Sequence, residues 1–217
     1  MAYPVNKLNS MINKVGVMGD IHAEDKLLAT AIQFLKSKNI PTLFSVGDIV
    51  DGLGNVDRCC DLLQENQIIA VQGNHERWLF NDYMRNLKHS TKLSELSAAS
   101  KNFLETLPQT YEFKTILGKG LLCHGLGTYD MGRVPSNTLK NQKKLEQLIN
   151  QKYRIIINGH THKKLVTQIK PLSIINAGTL KPKHGSGFII IDFIKKKVTC
   201  YNITDDYSII IKDIMRF

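Results

Sequence analysis

Three short apolar segments of the sequence each end in polar side chains that can bind metal. They are "VGVMGDIH" (15–22), "TLFSVGD" (42–48) and "QIIAVQGNH" (67–75). Between them lie two segments with the periodicity of amphipathic helices, and Asn55 is a good N-cap for the second helix. Repeated strand–helix–strand units predict a parallel sheet whose carboxyl strand ends meet at one edge. We therefore expect Asp20, Asp48 and Asn74 to lie close together.

The remaining segments predict further strands and helices. Residues 78–107 change to helical character before Pro108, and we expect one or two helices there that form a lid beside the site. Strands are predicted at "TYEFKTI", "GLLCHG" and "RIIING", with a helix at about 138–151 before the last of them. Five short strands are predicted in the tail after residue 163, and we expect them to form a second sheet packed on the first. One domain spanning residues 1–217 is expected.

The net charge of +10 is concentrated in the C-terminal part of the chain. Residues 1–137 carry 14 Lys+Arg and 14 Asp+Glu, whereas residues 138–217 carry 15 and 5. Such an excess could attract an anionic substrate or a nucleic acid. Aromatic residues are not interleaved with the basic ones, as a base-stacking groove requires. We therefore favour a solvated lysine-rich surface, and stable nucleic-acid binding is not expected.

The sequence lacks the features of a secreted or membrane-spanning protein. The segment "MAYPVNKLNSMINK" is too polar for a signal peptide, and no run approaches the roughly 20 apolar residues of a membrane span. The four cysteines, Cys59, Cys60, Cys123 and Cys200, have no CxxC spacing, and we expect them all to be reduced. We expect a cytoplasmic protein that does not contact membranes and that could form oligomers.

The polar residues at the predicted strand ends form a set of candidate metal ligands. The set comprises Asp20, His22, Asp48, Asn74, His124, His160 and His162. Carboxylate, imidazole and amide ligands without a thiolate suit Mn²⁺, Fe²⁺ or Zn²⁺ better than the all-oxygen sites of Ca²⁺. Since one ion cannot use all seven ligands, more than one ion is expected.

The candidate ligands lie in five short motifs, and the order of these motifs along the chain resembles that of a known family. The set "GDIH", "GDIVDG", "GNHE", "CHG" and "GHTH" resembles the motifs of the calcineurin-like metallophosphoesterase superfamily, over roughly residues 15–178. The resemblance implies an α/β fold, a four-layer α/β/β/α sandwich of two mixed sheets flanked by helices. It also implies two divalent metal ions, with Mn the first choice and Fe, Zn, Ni or Mg as alternatives.

The resemblance assigns a role to each ligand. It gives Asp20, His22 and His162 to the first metal and Asn74, His124 and His160 to the second, with Asp48 as the bridge. Two such ions neutralise phosphate oxygens and hold a bridging hydroxide for attack on phosphorus. His75 is then placed to protonate the leaving oxygen, and Asp51 to hold its imidazole in the donating tautomer.

Other polar residues have weaker assignments. Arg77 could bind a substrate phosphate, and a surface arginine is the equal alternative. His89 and His184 are left out of the site. The segment "INAGT" (175–179) resembles the Asn-Pro-Gly-Ser turn of the superfamily, with Ala177 in place of proline.

The choice of branch rests on two arginines that the chain lacks. Protein phosphatases and diadenosine-polyphosphate hydrolases of the superfamily usually carry arginine where this chain has Gly52 and Gln72. The chain instead resembles the small, stand-alone phosphodiesterases, so a small phosphorylated substrate, possibly a nucleotide, is expected. Phosphomonoesterase and diadenosine-polyphosphate or protein phosphatase activities remain alternatives. Two further alternatives on the same fold are a non-catalytic scaffold, like a retromer subunit, and a nuclease.

Overall fold

The computed structural model describes residues 10–217 and contains 11 strands and five α-helices. The strands are β1 (Lys14–Met18), β2 (Leu43–Ser45), β3 (Ile69–Ala70), β4 (Thr110–Thr115), β5 (Gly118–Cys123), β6 (Tyr153–Asn158), β7 (Lys164–Ile169), β8 (Leu172–Ala177), β9 (Gly187–Asp192), β10 (Lys197–Ile203) and β11 (Ile209–Arg216). The helices are α1 (Asp25–Ser37), α2 (Val56–Glu65), α3 (Asn74–Phe80), α4 (Ala98–Glu105) and α5 (Leu139–Asn150). Short 3₁₀ turns span Leu93–Glu95 and Pro182–His184.

Two mixed sheets form the centre of the fold. The first has the order β11-β10-β9-β1-β2-β3, in which β1, β2 and β3 run parallel and β9 to β11 are antiparallel. The second has the order β4-β5-β6-β8-β7, with a parallel centre of β5, β6 and β8 and antiparallel edges. The predicted parallel strand–helix–strand units are therefore confirmed at the N-terminal end of the chain.

Three apolar clusters separate four layers. One joins the first sheet to α1, α2 and α4, one fills the space between the sheets, and one joins the second sheet to α5. The predicted apolar face of α1 is confirmed by its buried residues Leu27, Leu28, Ala31, Ile32 and Leu35. This is the α/β/β/α sandwich that the family resemblance implies.

The tail strands are shared between the two sheets, which corrects the prediction that they form a sheet of their own. Strands β7 and β8 join β4, β5 and β6, whereas β9 crosses back and pairs with β1 along its whole length. Alternation within a strand shows which face is buried but carries no information on the neighbouring strand.

The segment 78–107 also differs from its predicted helical character. Helix α3 ends at Phe80, where the backbone and side-chain amides of Asn81 both donate to the carbonyl of Arg77. Turns follow, because Asp82, Met84 and His89 adopt left-handed backbone conformations that end regular helix. Helix α4 buries Phe103 and Leu104 in the apolar cluster between the first sheet and its helices. It is therefore part of the helical layer, and a lid function for this segment remains a prediction.

Other sequence predictions agree with local contacts. The side chain of Asn55 accepts a hydrogen bond from the amide of Arg58, so it is the N-cap of α2. All four cysteines are free and buried. None of the helices within residues 10–217 is both long and apolar enough to cross a membrane.

Candidate metal centre

The candidate ligands converge where strands of both sheets end. Asp20 and His22 follow β1, Asp48 follows β2, and Asn74 begins α3 directly after β3. From the second sheet, His124 follows β5, and His160 and His162 follow β6. The two sheets therefore supply opposite halves of one site.

The first group of ligand atoms comes from Asp20, His22, Asp48 and His162. One ligand atom of each lies within 4.8 Å of the others. Nε2 of His162 is 3.0 Å from Oδ2 of Asp20 and 3.1 Å from Nε2 of His22. Oδ2 of Asp20 is buried, yet no hydrogen bond from the described residues satisfies it. A divalent cation would satisfy this oxygen and both nitrogens, so the group fits a metal ion.

His22 is oriented to present a lone pair to this group. Its Nδ1 lies 3.3 Å and 3.2 Å from the carbonyl oxygens of Val50 and Asp51, which can only accept, so Nδ1 carries the proton. Burial lowers the pKa of His22 to about 4, although the charges of Asp48 and Asp20 oppose that shift. The imidazole is therefore neutral near pH 7, as a metal ligand requires.

The second group comes from Asn74, His124 and His160. Oδ1 of Asn74 lies 2.9 Å from Nε2 of His124 and 3.0 Å from Nδ1 of His160. Nε2 of His124 is also 3.3 Å from Oδ2 of Asp48. The Asp48 carboxylate thus adjoins both groups, as a bridging ligand does.

His124 is tightly coupled to Asp48 in the protein without metal. Burial lowers the pKa of His124, but the adjacent Asp48 carboxylate outweighs burial and raises this pKa to about 10. The other ring nitrogen, Nδ1, is 2.7 Å from the carbonyl oxygen of Val46. This contact directs Nε2 into the site, and metal binding there must displace a proton.

The backbone around the ligands leaves no room for larger residues. A Cβ added at Gly73 would overlap Oδ1 of Asp48, and one added at Gly159 would overlap Oδ1 of Asp20. Several site residues adopt left-handed backbone conformations, with φ between 48° and 68°: His22, Asp48, Asp51, His160 and His162. Left-handed conformations of residues other than glycine are uncommon and concentrate at functional sites.

The turn at 175–179 closes this side of the site. Asn176 donates through its amide to the carbonyl of Gly159 and accepts at 2.9 Å from the amide of Gly178. The hydroxyl of Thr179 donates to the carbonyl of Asp20 at 2.7 Å. The turn therefore ties the strand that carries Asp20 to the loop that carries His160, with alanine at position 177.

His75 and Asp51 form a pair beside the ligands. Nδ1 of His75 lies 2.7 Å from Oδ2 of Asp51, and Nε2 lies 3.8 Å from Oδ2 of Asp48. Burial lowers the pKa of His75, but the Asp51 hydrogen bond and the nearby carboxylates outweigh it and raise this pKa. The imidazole is thus favoured in the protonated form, with Nε2 toward the centre.

Asp51 is held by a residue that the sequence analysis missed. Arg85 donates to both of its carboxylate oxygens at 3.0 Å, and the amide of Thr91 donates at 2.8 Å. Burial raises the pKa of Asp51, yet the hydrogen bonds from His75, Arg85 and Thr91 together lower it. Arg85 lies among turns with no motif around it, so no sequence signal indicated this contact.

Glu76 is a second missed residue. Its buried carboxylate accepts from the amides of Asp48 (2.9 Å), Ile49 (2.6 Å), Val50 (3.1 Å) and Gly73 (2.7 Å). It therefore joins the loop after β2 to the start of α3. The spacing of Gly73 and Glu76 is that of a capping box, a signal that could have revealed this role.

The remaining candidates are placed as follows. Arg77 makes a bidentate pair with Asp130, with Nε to Oδ2 at 2.6 Å and Nη2 to Oδ1 at 3.2 Å. The ring of His184, which was left out of the site, lies 4.9 Å from the ring of His162. His89 lines a separate concavity behind Gly52. An added Cβ at Gly52 would overlap the carbonyl of His22, so the backbone there excludes an arginine.

Comparison with known proteins gives a family match over most of the chain. The model of the calcineurin-like phosphoesterase superfamily domain matches residues 14–196. An uncharacterized protein of Methanocaldococcus jannaschii is 31% identical over 62 residues, which are 29% of this chain and 26% of that protein. The chain therefore matches only about a quarter of that relative's length.

Solved structures share the fold at low sequence identity. A metallophosphoesterase from Sphaerobacter thermophilus has a TM-score of 0.69 at 19% identity, covering 92% of this chain and 90% of that one. The phosphoesterase Yfce from E. coli has a TM-score of 0.60 at 15% identity, covering 94% and 98%. Vacuolar Protein Sorting 29 from Cryptosporidium parvum also has a TM-score of 0.60, at 16% identity, covering 96% and 99%.

Proposed function

The chain belongs to the calcineurin-like phosphoesterase superfamily, and we propose that it is a hydrolase that cleaves small phosphodiesters with two divalent metal ions. The observation that carries this proposal is the position of Asp48. Its carboxylate lies between the group of Asp20, His22 and His162 and the group of Asn74, His124 and His160. A carboxylate in this position could be shared by two neighbouring divalent ions, as the proposal needs.

The ions would supply charge neutralisation of the phosphoryl group and activation of water. The protein's own residues then act on the leaving group. His75 donates the proton from Nε2, because Nδ1 is engaged by Asp51. Asp51 keeps the imidazole in that orientation, and Arg85 keeps Asp51 in place.

The preference for diesters rests on three positions next to the candidate ligands, none of which offers a free cation for the scissile phosphoryl group. Position 52 admits only glycine, position 72 is Gln, and the guanidinium of Arg77 is engaged by Asp130. A monoester dianion requires more positive charge than a diester monoanion. We therefore place phosphomonoesters second among the substrates.

A non-catalytic scaffold is the second candidate, because Vacuolar Protein Sorting 29 shares the fold. The pairing of His75 with Asp51 favours an enzyme. A scaffold has no need of an imidazole held with its free nitrogen toward a ligand group.

The test uses purified protein that is stripped of metal and reloaded with Mn²⁺. Bis-p-nitrophenyl phosphate should be hydrolysed faster than p-nitrophenyl phosphate, and metal analysis should give two ions per chain. The Asp48→Asn variant should lose activity and metal, whereas His89→Asn, outside the centre, should lose neither. Two bound ions without hydrolysis of either ester would support the scaffold, and faster hydrolysis of the monoester would support a phosphomonoesterase.

A further inference from the structure

A large open cleft adjoins the metal centre on the side of His160. Its volume is about 880 Å³, within the range of small-ligand sites. It is lined by two segments of the chain, residues 133–138 and the residues His160, Thr161, Lys163 and Leu165. We propose that this basic cleft binds a second phosphate of the substrate, so that the enzyme acts on phosphodiesters that carry a further phosphate.

The cleft and the centre share a residue. His160 lines the cleft, while its Nδ1 lies 3.0 Å from Oδ1 of Asn74 among the second group of ligands. A single substrate molecule could therefore extend from the candidate metal centre, where its scissile phosphoryl group would lie, into the cleft. The proposal rests on the proposed function in this respect, because the same substrate occupies both places.

The charge of the cleft suits an anion. Arg133 and Lys163 both line the cleft, and no carboxylate side chain does. Within residues 10–217, neither cation forms an ion pair, in contrast to Arg77, which Asp130 neutralises. Thr138 is the N-cap of α5 and also lines the cleft, so the positive end of this helix adds to the attraction.

Hydrogen bonds to helix α5 hold the loop that carries Arg133. The buried side chain of Asn141 donates to the hydroxyl of Ser136 at 2.6 Å and accepts from the amide of Arg133 at 3.4 Å. A ligand therefore meets a cleft that is already formed, and little ordering of the loop opposes binding.

The chemistry of the walls indicates the size and type of substrate. Val134, Pro135 and Leu165 add apolar surface to the lining of the cleft. Apolar surface beside separated positive charges fits a compact organic unit with a phosphate at either end. A nucleoside 5′-phosphodiester with a 3′-phosphate has this chemistry.

The test compares two substrates that differ by one phosphate. They are the p-nitrophenyl ester of thymidine 5′-phosphate and the same ester with a 3′-phosphate, which share the leaving group. For the wild-type protein, kcat/KM should be about tenfold higher for the ester with the 3′-phosphate, as expected for hydrogen bonds to a charged group. In Arg133→Gln and Lys163→Gln this ratio should fall several-fold, and in the double variant it should approach one.

A distant lysine provides the control for long-range attraction of the substrate by the net charge of +10. Lys195 is exposed beyond the end of β9, at the edge of the first sheet opposite the site. Lys195→Gln removes the same charge and should keep the wild-type ratio. A wild-type ratio near one, or a ratio that survives the double variant, would overturn the proposal.

A binding measurement distinguishes failure of this proposal from failure of the proposed function. Calorimetric titration of the Mn²⁺-loaded protein compares thymidine 3′,5′-bisphosphate with thymidine 5′-monophosphate. Tighter binding of the bisphosphate that is lost in the double variant supports the basic cleft even where neither ester is hydrolysed. Equal affinities of the two nucleotides overturn it even where both esters are hydrolysed.

Discussion

Nδ1 of His75 and Oδ2 of Asp51 lie 2.7 Å apart, so the histidine has one committed nitrogen and one free nitrogen. The free Nε2 points to the side on which Asp48 lies, at 3.8 Å. From this arrangement we predict that His75 has a role different from that of the neighbouring candidate ligands, and experiment can separate the two roles.

Replacement of His75 should depend on the leaving group. We expect His75→Asn to lower kcat by about 10²–10⁴-fold for a diester with a poor alkoxide leaving group, because the proton donor is lost. The loss should be much smaller for bis-p-nitrophenyl phosphate, whose leaving group departs as an anion. Metal analysis should still give two ions per chain. Equal losses with both esters would assign His75 to phosphate binding instead.

Arg85 should act through Asp51. We expect Arg85→Gln to lower kcat for the poor leaving group by about 10-fold or more, since a supporting contact of the imidazole is lost. The free energy of unfolding should fall by about 3 kcal/mol, because a buried carboxylate loses its charged partner. Arg85→Lys should recover part of both losses. Arg58→Gln is the control, since it breaks only an exposed pair with Glu65. If stability fell but the leaving-group dependence stayed that of the wild type, the role of Arg85 would be structural alone.

Glu76 should control the geometry of the centre. In Glu76→Gln, one acceptor oxygen is replaced by a donor that faces backbone amides, so we expect a loss of about 2–3 kcal/mol in unfolding free energy. The affinity for Mn²⁺ should also fall, because Asp48 moves with its loop. Thermal denaturation and metal titration measure the two effects. Glu65→Gln, at an exposed site, should change neither. Unaltered Mn²⁺ affinity in Glu76→Gln would contradict this role.

Metal binding should stabilise the fold. At 100 times Kd, one ion adds about 2.7 kcal/mol to the free energy of unfolding. For a chain of this size that corresponds to an increase of about 5–10 °C in Tm for each site. Differential scanning calorimetry with Mn²⁺ and with chelator measures the difference. His162→Ala should show a smaller increase, and an increase equal to the wild type would remove His162 from the ligands.

Arg77 offers a test of its two alternative roles. If its guanidinium serves mainly to hold Asp130, then Arg77→Gln and Asp130→Asn should lower Tm by similar amounts and change KM little. We expect this result, because both hydrogen bonds of the pair are formed in the structure. An increase in KM of about tenfold in Arg77→Gln alone would instead assign the arginine to the substrate.

The site was more predictable from the sequence than the sheet order. Asp20, Asp48 and Asn74 follow strands whose parallel pairing is set by short helical connections, so their convergence follows from local signals. The crossing of β9 to β1 depends on contacts between residues about 170 positions apart, for which the local pattern has no signal.

The supporting residues were hidden for a related reason. Arg85 reaches Asp51 across 34 positions, and Glu76 reaches Ile49 across 27. A charged residue in a polar segment most often faces solvent, and only the fold shows that Arg85 is turned inward. For Glu76, the spacing from Gly73 is the one available signal. The candidate ligands were recognisable because their residue types occur in chemically specific motifs, whereas an arginine without a motif around it is not.

The return of β9 to β1 has a consequence for synthesis on the ribosome. Strand β1 is synthesised about 170 residues before β9, and it lacks this antiparallel neighbour until Gly187–Asp192 has left the exit tunnel. All strands of the second sheet must therefore emerge before β9 can pair with β1. Until then β1 has an open edge, which is the kind of surface that chaperones cover during translation. A ribosome that is stalled before β9 emerges should leave this edge accessible to proteases, and emergence of β9 should protect it.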